Sequence, residues 1–147
     1  MDRRELELLI LEALNRFFAH DACLLDTDVS EWSVAHRFAV YLEQLLPGWN
    51  IDCEYNRQGE GVVPKAVATG TRVRPDIIVH HRGQLAREYN LLAIELKKID
   101  SGSDFGKACE YTAPPDGRRK FQYRYGLTVV IGGSSSMTWF ENGQAVS

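Results

Sequence analysis

Two apolar runs, each carrying charge at one end, constrain this chain more than any other feature. The first is Arg74-Pro75-Asp76-Ile77-Ile78-Val79, and the second is Leu91-Leu92-Ala93-Ile94-Glu95-Leu96-Lys97-Lys98. Both have strand length. The piece that begins the link between them, His81-Arg82-Gly83-Gln84, is rich in turn formers, so the two runs read as neighbouring antiparallel strands. Side chains alternate along a strand, which puts Glu95 and Lys97 on one face and Ile94 and Leu96 on the other. Asp76, at the start of its own strand, can approach Glu95 and Lys97. Charge within an apolar strand is expensive unless it is paired or holds a metal. Two carboxylates and an ammonium at one sheet edge therefore suggest a divalent-cation site with a positioned positive charge.

The pattern of Pro75 and Asp76, an interval, then Glu95 and Lys97 at the end of an apolar strand resembles the PD-(D/E)XK nuclease superfamily. The likeness spans residues 30–131, most of the chain. It implies an α/β fold of restriction-endonuclease type, a mixed central β-sheet flanked by α-helices. It also implies hydrolysis of phosphodiester bonds in DNA, in preference to RNA, with Mg²⁺ or Mn²⁺. Carried over by position, Asp76 and Glu95 would ligate the ion with the backbone carbonyl of Leu96. Lys97 would hold the attacking water or stabilise the anionic transition state. Many members place a metal-site glutamate on the helix before the first core strand, which makes Glu31 a catalytic and metal-ligating candidate. A further lysine or polar residue often sits on the helix after the Glu-x-Lys strand, which makes Lys107 a secondary one.

Length and charge set the remaining bounds. A chain of 147 residues suits one domain, 1–147, with a single core. No apolar run approaches the about 20 residues of a membrane span. The opening Met1-Asp2-Arg3-Arg4-Glu5 begins an amphipathic pattern containing acids, unlike a signal peptide. Cys23, Cys53 and Cys109 are odd in number and widely spaced, which favours a reducing cytoplasm over a disulfide or zinc framework. The net charge is −3 but unevenly placed. Residues 1–56 hold four basic side chains against eleven acids, whereas residues 57–126 hold thirteen against eight. The motif thus lies in the basic half, which could attract a polyanion, although patchy surfaces are common without any such role. Arg72, Arg74, Arg118, Arg119, Lys120 and Arg124 are the candidates for nucleic-acid contact. The last four interleave with Phe121, Tyr123 and Tyr125, a mixture that suits phosphates and bases and also suits a strand in a core.

The rest of the chain supplies the frame. Leu6, Leu9, Ile10, Ala13, Leu14, Phe17 and Phe18 recur at helical spacing and predict a helix over 3–19 with that stripe in the core. Residues 19–28 read as a loop. Ser30 caps a second helix that ends near Leu46, before Pro47-Gly48. Glu31, Ala35, Phe38, Leu42 and Leu45 share a face of it, so Glu31 sits at the N-terminal end of the buried stripe. An acid there also favours the helix dipole, with no catalytic role required. His36 lies off that face and reads as a surface residue. A first strand is expected over 49–55 with its acids solvated, then a long glycine-containing loop over 56–73. His80 and His81 read as a solvent-facing pair at a strand end. A short helix over 104–111, a buried strand over 125–131 and a terminal strand over 137–141 complete the order α, α, β, β, β, α, β, β. Two functions fit it. One is a metal-dependent nuclease; the other is a catalytically silent module of the same fold that binds nucleic acid or a protein. Asp76, Glu95 and Lys97 could also form only a buried ion pair, though such pairs are weak stabilisers. So short a chain leaves little room for a separate recognition domain, which suggests a homodimer or a partner protein.

Overall fold

The computed structural model describes residues 1–55, 74–98, 105–116, 121–133 and 135–147. Helix α1 runs Arg3–His20, and its start is fixed by a capping box: the Asp2 carboxylate accepts from the Glu5 N–H, and the Glu5 carboxylate accepts from the Asp2 N–H. One turn of helix, α2, follows at Cys23–Asp26 inside the segment expected to be a loop. Helix α3 runs Glu31–Leu45 with Ser30 accepting from the Ser33 N–H, the cap the sequence predicts. Strands β1 (Asn50–Cys53), β2 (Ile77–His80) and β3 (Asn90–Lys97) come next, then α4 (Phe105–Thr112) and strands β4 (Tyr125–Val130), β5 (Ser136–Glu141) and β6 (Gln144–Val146).

Among the described residues the strands form one six-stranded sheet whose spatial order follows the chain from β1 to β6. Every neighbouring pair is antiparallel except β3 and β4, which are parallel. Antiparallel neighbours need only a tight connection, but a parallel pair needs a crossover, and that crossover carries α4. The β2–β3 connection is ordered by a side chain: the Asn90 amide Nδ2 donates to the Leu85 and Ala86 carbonyls at 3.2 and 3.0 Å. The motif strands β2 and β3 are antiparallel neighbours, as expected, but β2 begins at Ile77, so Asp76 stands just outside it. The first strand stops at Cys53 because Glu54 turns to a positive φ of 49°. A last strand beyond the expected order, β6, is made by the Asn142-Gly143 turn, with φ values of 50° and 76°.

Alternation sorts the sheet into two buried faces. Ile77, Val79, Leu92, Ile94, Leu96, Leu127 and Val129 pack with α1 and α3 through Ile10, Phe17, Phe38 and Leu42. Each fully buried side chain of this size contributes about 1.5–3 kcal/mol. Of the expected α1 stripe, Leu6, Ile10, Ala13, Leu14 and Phe17 are buried, Leu9 is partly buried, and Phe18 remains 39% exposed with its ring edge-on to Phe17. Ile78 and Ala93 face the other way, into a smaller cluster with Tyr111, Phe121 and Tyr123 on the α4 side. Glu95 and Lys97 share that side by the same alternation. A helix over a sheet needs small residues beneath it where the two come closest, and Gly126 supplies one: a Cβ there would stand 2.5 Å from the Ala108 carbonyl oxygen of α4. Gly126→Ala should therefore lower stability by about 1–3 kcal/mol through overpacking. Urea denaturation checks this, with a midpoint equal to wild type as the contrary result.

Candidate functional site

The register of β2 and β3 pairs Ile77 with Ile94, so one step before the start of β2 sets Asp76 across from Glu95. Asp76 continues the ladder with its side chain where the backbone of β2 stops. Its Oδ2 accepts from the Leu96 N–H at 2.7 Å. The Lys97 carbonyl accepts from the Ile131 N–H, towards β4. Carbonyls of successive strand residues point to opposite sides, so that of Leu96 points back towards Asp76. Asp76 thus stands across from Glu95 at the end of the sheet, with the Leu96 carbonyl on the Asp76 side of β3.

Glu95 is 2% exposed. Its Oε1 accepts from the Tyr111 hydroxyl of α4 at 2.6 Å, and its Oε2 lies 3.9 Å from the Lys107 ammonium, one helical turn earlier on the same helix. Burial pushes its pKa up to about 7, with the Asp76 charge adding to the rise and Tyr111, Lys107 and Lys97 opposing it. Asp76 is also raised, by burial first, against the pull of the Leu96 N–H and the Lys97 charge; Glu31 adds to the rise. Lys97 therefore acts on both carboxylates from its position on the strand face of Glu95. The same acid neighbours and its own burial raise Tyr111, which keeps the phenol protonated as a donor. Tyr111 is the site residue that sequence reasoning missed. The available signal was its spacing of four from Lys107, which puts both on one face of α4.

Glu31 is exposed at the start of α3, yet its carboxylate reaches the sheet: Oε2 accepts from the Lys98 N–H at 2.9 Å. The Lys98 ammonium in turn donates to the Thr27 and Val29 carbonyls, fastening the entry to α3 against the end of β3. Among the basic candidates, Arg74 stands at this end of the sheet, 3.6 Å from Glu54 and largely exposed. Arg124 does not. Its N–H donates to the Asn90 carbonyl, where β3 begins, so it lies the length of β3 away, with its guanidinium 5.2 Å from the Tyr125 ring. Arg72, Arg118, Arg119, Lys120 and the loop 56–73 lie outside the described residues.

Two expectations near the far end of β2 are corrected. His80 is buried, not solvent-facing, and its Nε2 lies 2.7 Å from Asp52 Oδ2. Asp52 is not a free solvated acid: Arg82 grips it with two N–H donors, and despite opposing burial Arg82 and His80 hold its carboxyl below the usual range. This knot pins the edge strand β1 to β2.

The donor set at the Asp76 end suits a hard cation. Carboxylate and carbonyl oxygens are the ligands of Mg²⁺ and Mn²⁺, and a divalent charge would offset the burial that raises both acids. Among the described residues no three acidic, His or Cys side chains gather closely enough to enclose an ion. Compared with family models, curated proteins and solved structures, the chain has no match. Among the described residues no helix is long and apolar enough to cross a membrane.

The raised acid makes the fold sensitive to pH. Below the ordinary 4.5 of a glutamate both folded and unfolded states hold the proton, and Glu95 costs nothing. Between there and about 7 the unfolded chain releases the proton while the folded one keeps it, so stability falls as pH rises. The full difference is on the order of 3 kcal/mol at 1.4 per unit. Thermal melting without divalent ions should show Glu95→Gln gaining on wild type from pH 5 to 8. Mn²⁺ at pH 8 should raise the melting temperature of wild type alone. Parallel melting-temperature profiles for the two proteins would remove the buried charge from the account.

Proposed function

We propose that this protein is a metal-dependent nuclease of the PD-(D/E)XK type, hydrolysing phosphodiester bonds of DNA. The observation that carries the reading is the position of Asp76 across from Glu95 at the end of two adjoining strands, each within electrostatic reach of Lys97. An α/β architecture with a mixed sheet between helices is compatible with the restriction-endonuclease-like fold the motif implies. A Mg²⁺ or Mn²⁺ ion held by Asp76, Glu95 and the Leu96 carbonyl would polarise the scissile phosphate and acidify a water beside it. The residues of the chain do the rest. Lys97 orients the attacking water or neutralises the charge that develops on the phosphoryl oxygens. Tyr111 fixes one oxygen of Glu95, leaving the other for the cation side. Lys107, over half exposed, offers its charge to Glu95 or to an incoming phosphate. Glu31, whose Oε2 accepts from the Lys98 N–H, would join the acidic set through water.

The experiment is incubation with labelled linear, nicked, branched and single-stranded DNA in Mg²⁺, Mn²⁺ or EDTA. Cleavage that needs the divalent ion supports the proposal, and an intact set of substrates under all conditions overturns it. Two variants assign roles. Asp76→Asn retains an acceptor for the Leu96 N–H, so it should fold while losing the heat of Mn²⁺ binding in a calorimetric titration. Lys97→Ala should slow cleavage by on the order of 10²–10³ and leave melting near wild type. Loss of several kcal/mol of stability with cleavage unchanged would instead make Lys97 a structural counter-charge.

A further inference from the structure

Trp32 stands beside this site, and no step of the chemistry uses it. It occupies the first turn of α3, next to Glu31, whose carboxylate holds the end of β3. It is 53% exposed. Beneath it, one turn down the helix, lies the His36 imidazole, with ring centroids 5.9 Å apart and planes within 16° of parallel. His36 also lines a shallow groove of about 200 Å³ with Ile51 and Cys53, so this flank of α3 faces the β1 edge. Cys53 ends β1 at the same end of the sheet as Asp76, and the exposed Arg74 stands there too. The indole lies nearly parallel to the imidazole, with more than half of the residue left to solvent. An exposed flat aromatic surface, one residue along α3 from the Glu31 that reaches β3, matches the way proteins seat an unpaired base, by stacking on the ring. A base within a paired duplex cannot reach such a platform without leaving its stack.

We infer that Trp32, backed by His36, is a stacking platform for an unpaired nucleobase adjoining the Asp76–Glu95 site, so that the substrate is DNA with single-stranded character. The inference rests on the nuclease reading and narrows its substrate. Binding is measured by fluorescence anisotropy with labelled single-stranded and blunt duplex oligonucleotides, at low salt with Ca²⁺ in place of Mg²⁺. Trp32→Ala should bind the single strand on the order of tenfold more weakly and the duplex less than about twofold more weakly, whereas Trp32→Phe retains most affinity. Melting temperatures should match wild type, since the residue is largely exposed. An equal loss on both substrates, or no loss on the single strand, overturns the platform. The two proposals fail separately. Cleavage by wild type with unchanged binding by Trp32→Ala removes the platform and keeps the nuclease. Trp32-dependent binding without cleavage of any substrate keeps the platform and removes the chemistry. Absence of binding by wild type overturns both.

Discussion

Placing one carboxylate beside another in a poorly solvated corner raises the free energy of the charged form of both, and Asp76 and Glu95 meet in this way at the ends of adjoining strands. Much of the surrounding structure answers that charge. The Leu96 N–H turns to Asp76, the Tyr111 hydroxyl turns to Glu95, and the Lys97 and Lys107 ammonium groups lie within electrostatic reach. These partners come from three sources: the backbone of β3, its last residue and the helix laid over it. The carboxylates remain raised even so, because burial outweighs the partners that oppose it.

The sheet's single parallel junction explains how partners from separate parts of the chain converge. Antiparallel pairing of β2 with β3 brings the acids together by register alone. Parallel pairing of β3 with β4 then obliges the chain to leave the sheet and return, and the return path lays α4 over the face that carries Glu95. The helix that closes the crossover thus also delivers the phenol and a second lysine.

The legible part of this arrangement was the part written in short periods. The apolar runs, their two-residue alternation and the Ser30 cap located β2, β3 and α3, and with them Asp76, Glu95, Lys97 and Glu31. Tyr111 was harder, because an aromatic on an amphipathic helix reads as core; only the buried acid beneath it turns its hydroxyl into a donor. The Asp52–His80–Arg82 knot was illegible for a related reason. Its members are separated by about thirty positions and join only through the β1–β2 pairing. The four-residue α2 is too short to show a helical period. The strand β6 did have a signal, since Asn-Gly is the strongest short hairpin cue.

Gly126 has a meaning beyond packing. The bare backbone at that position sets how low α4 can ride on the sheet, and α4 carries both Tyr111 and Lys107. The depth of one helix therefore fixes two electrostatic distances at once, the 2.6 Å from phenol to carboxylate and the 3.9 Å from ammonium to carboxylate. An uncharged residue with no side chain acts as the ruler for the charges above it: widening that clearance by the breadth of a methyl would weaken both partners of Glu95 together, and the acidity of the site would change with no titratable group having been touched.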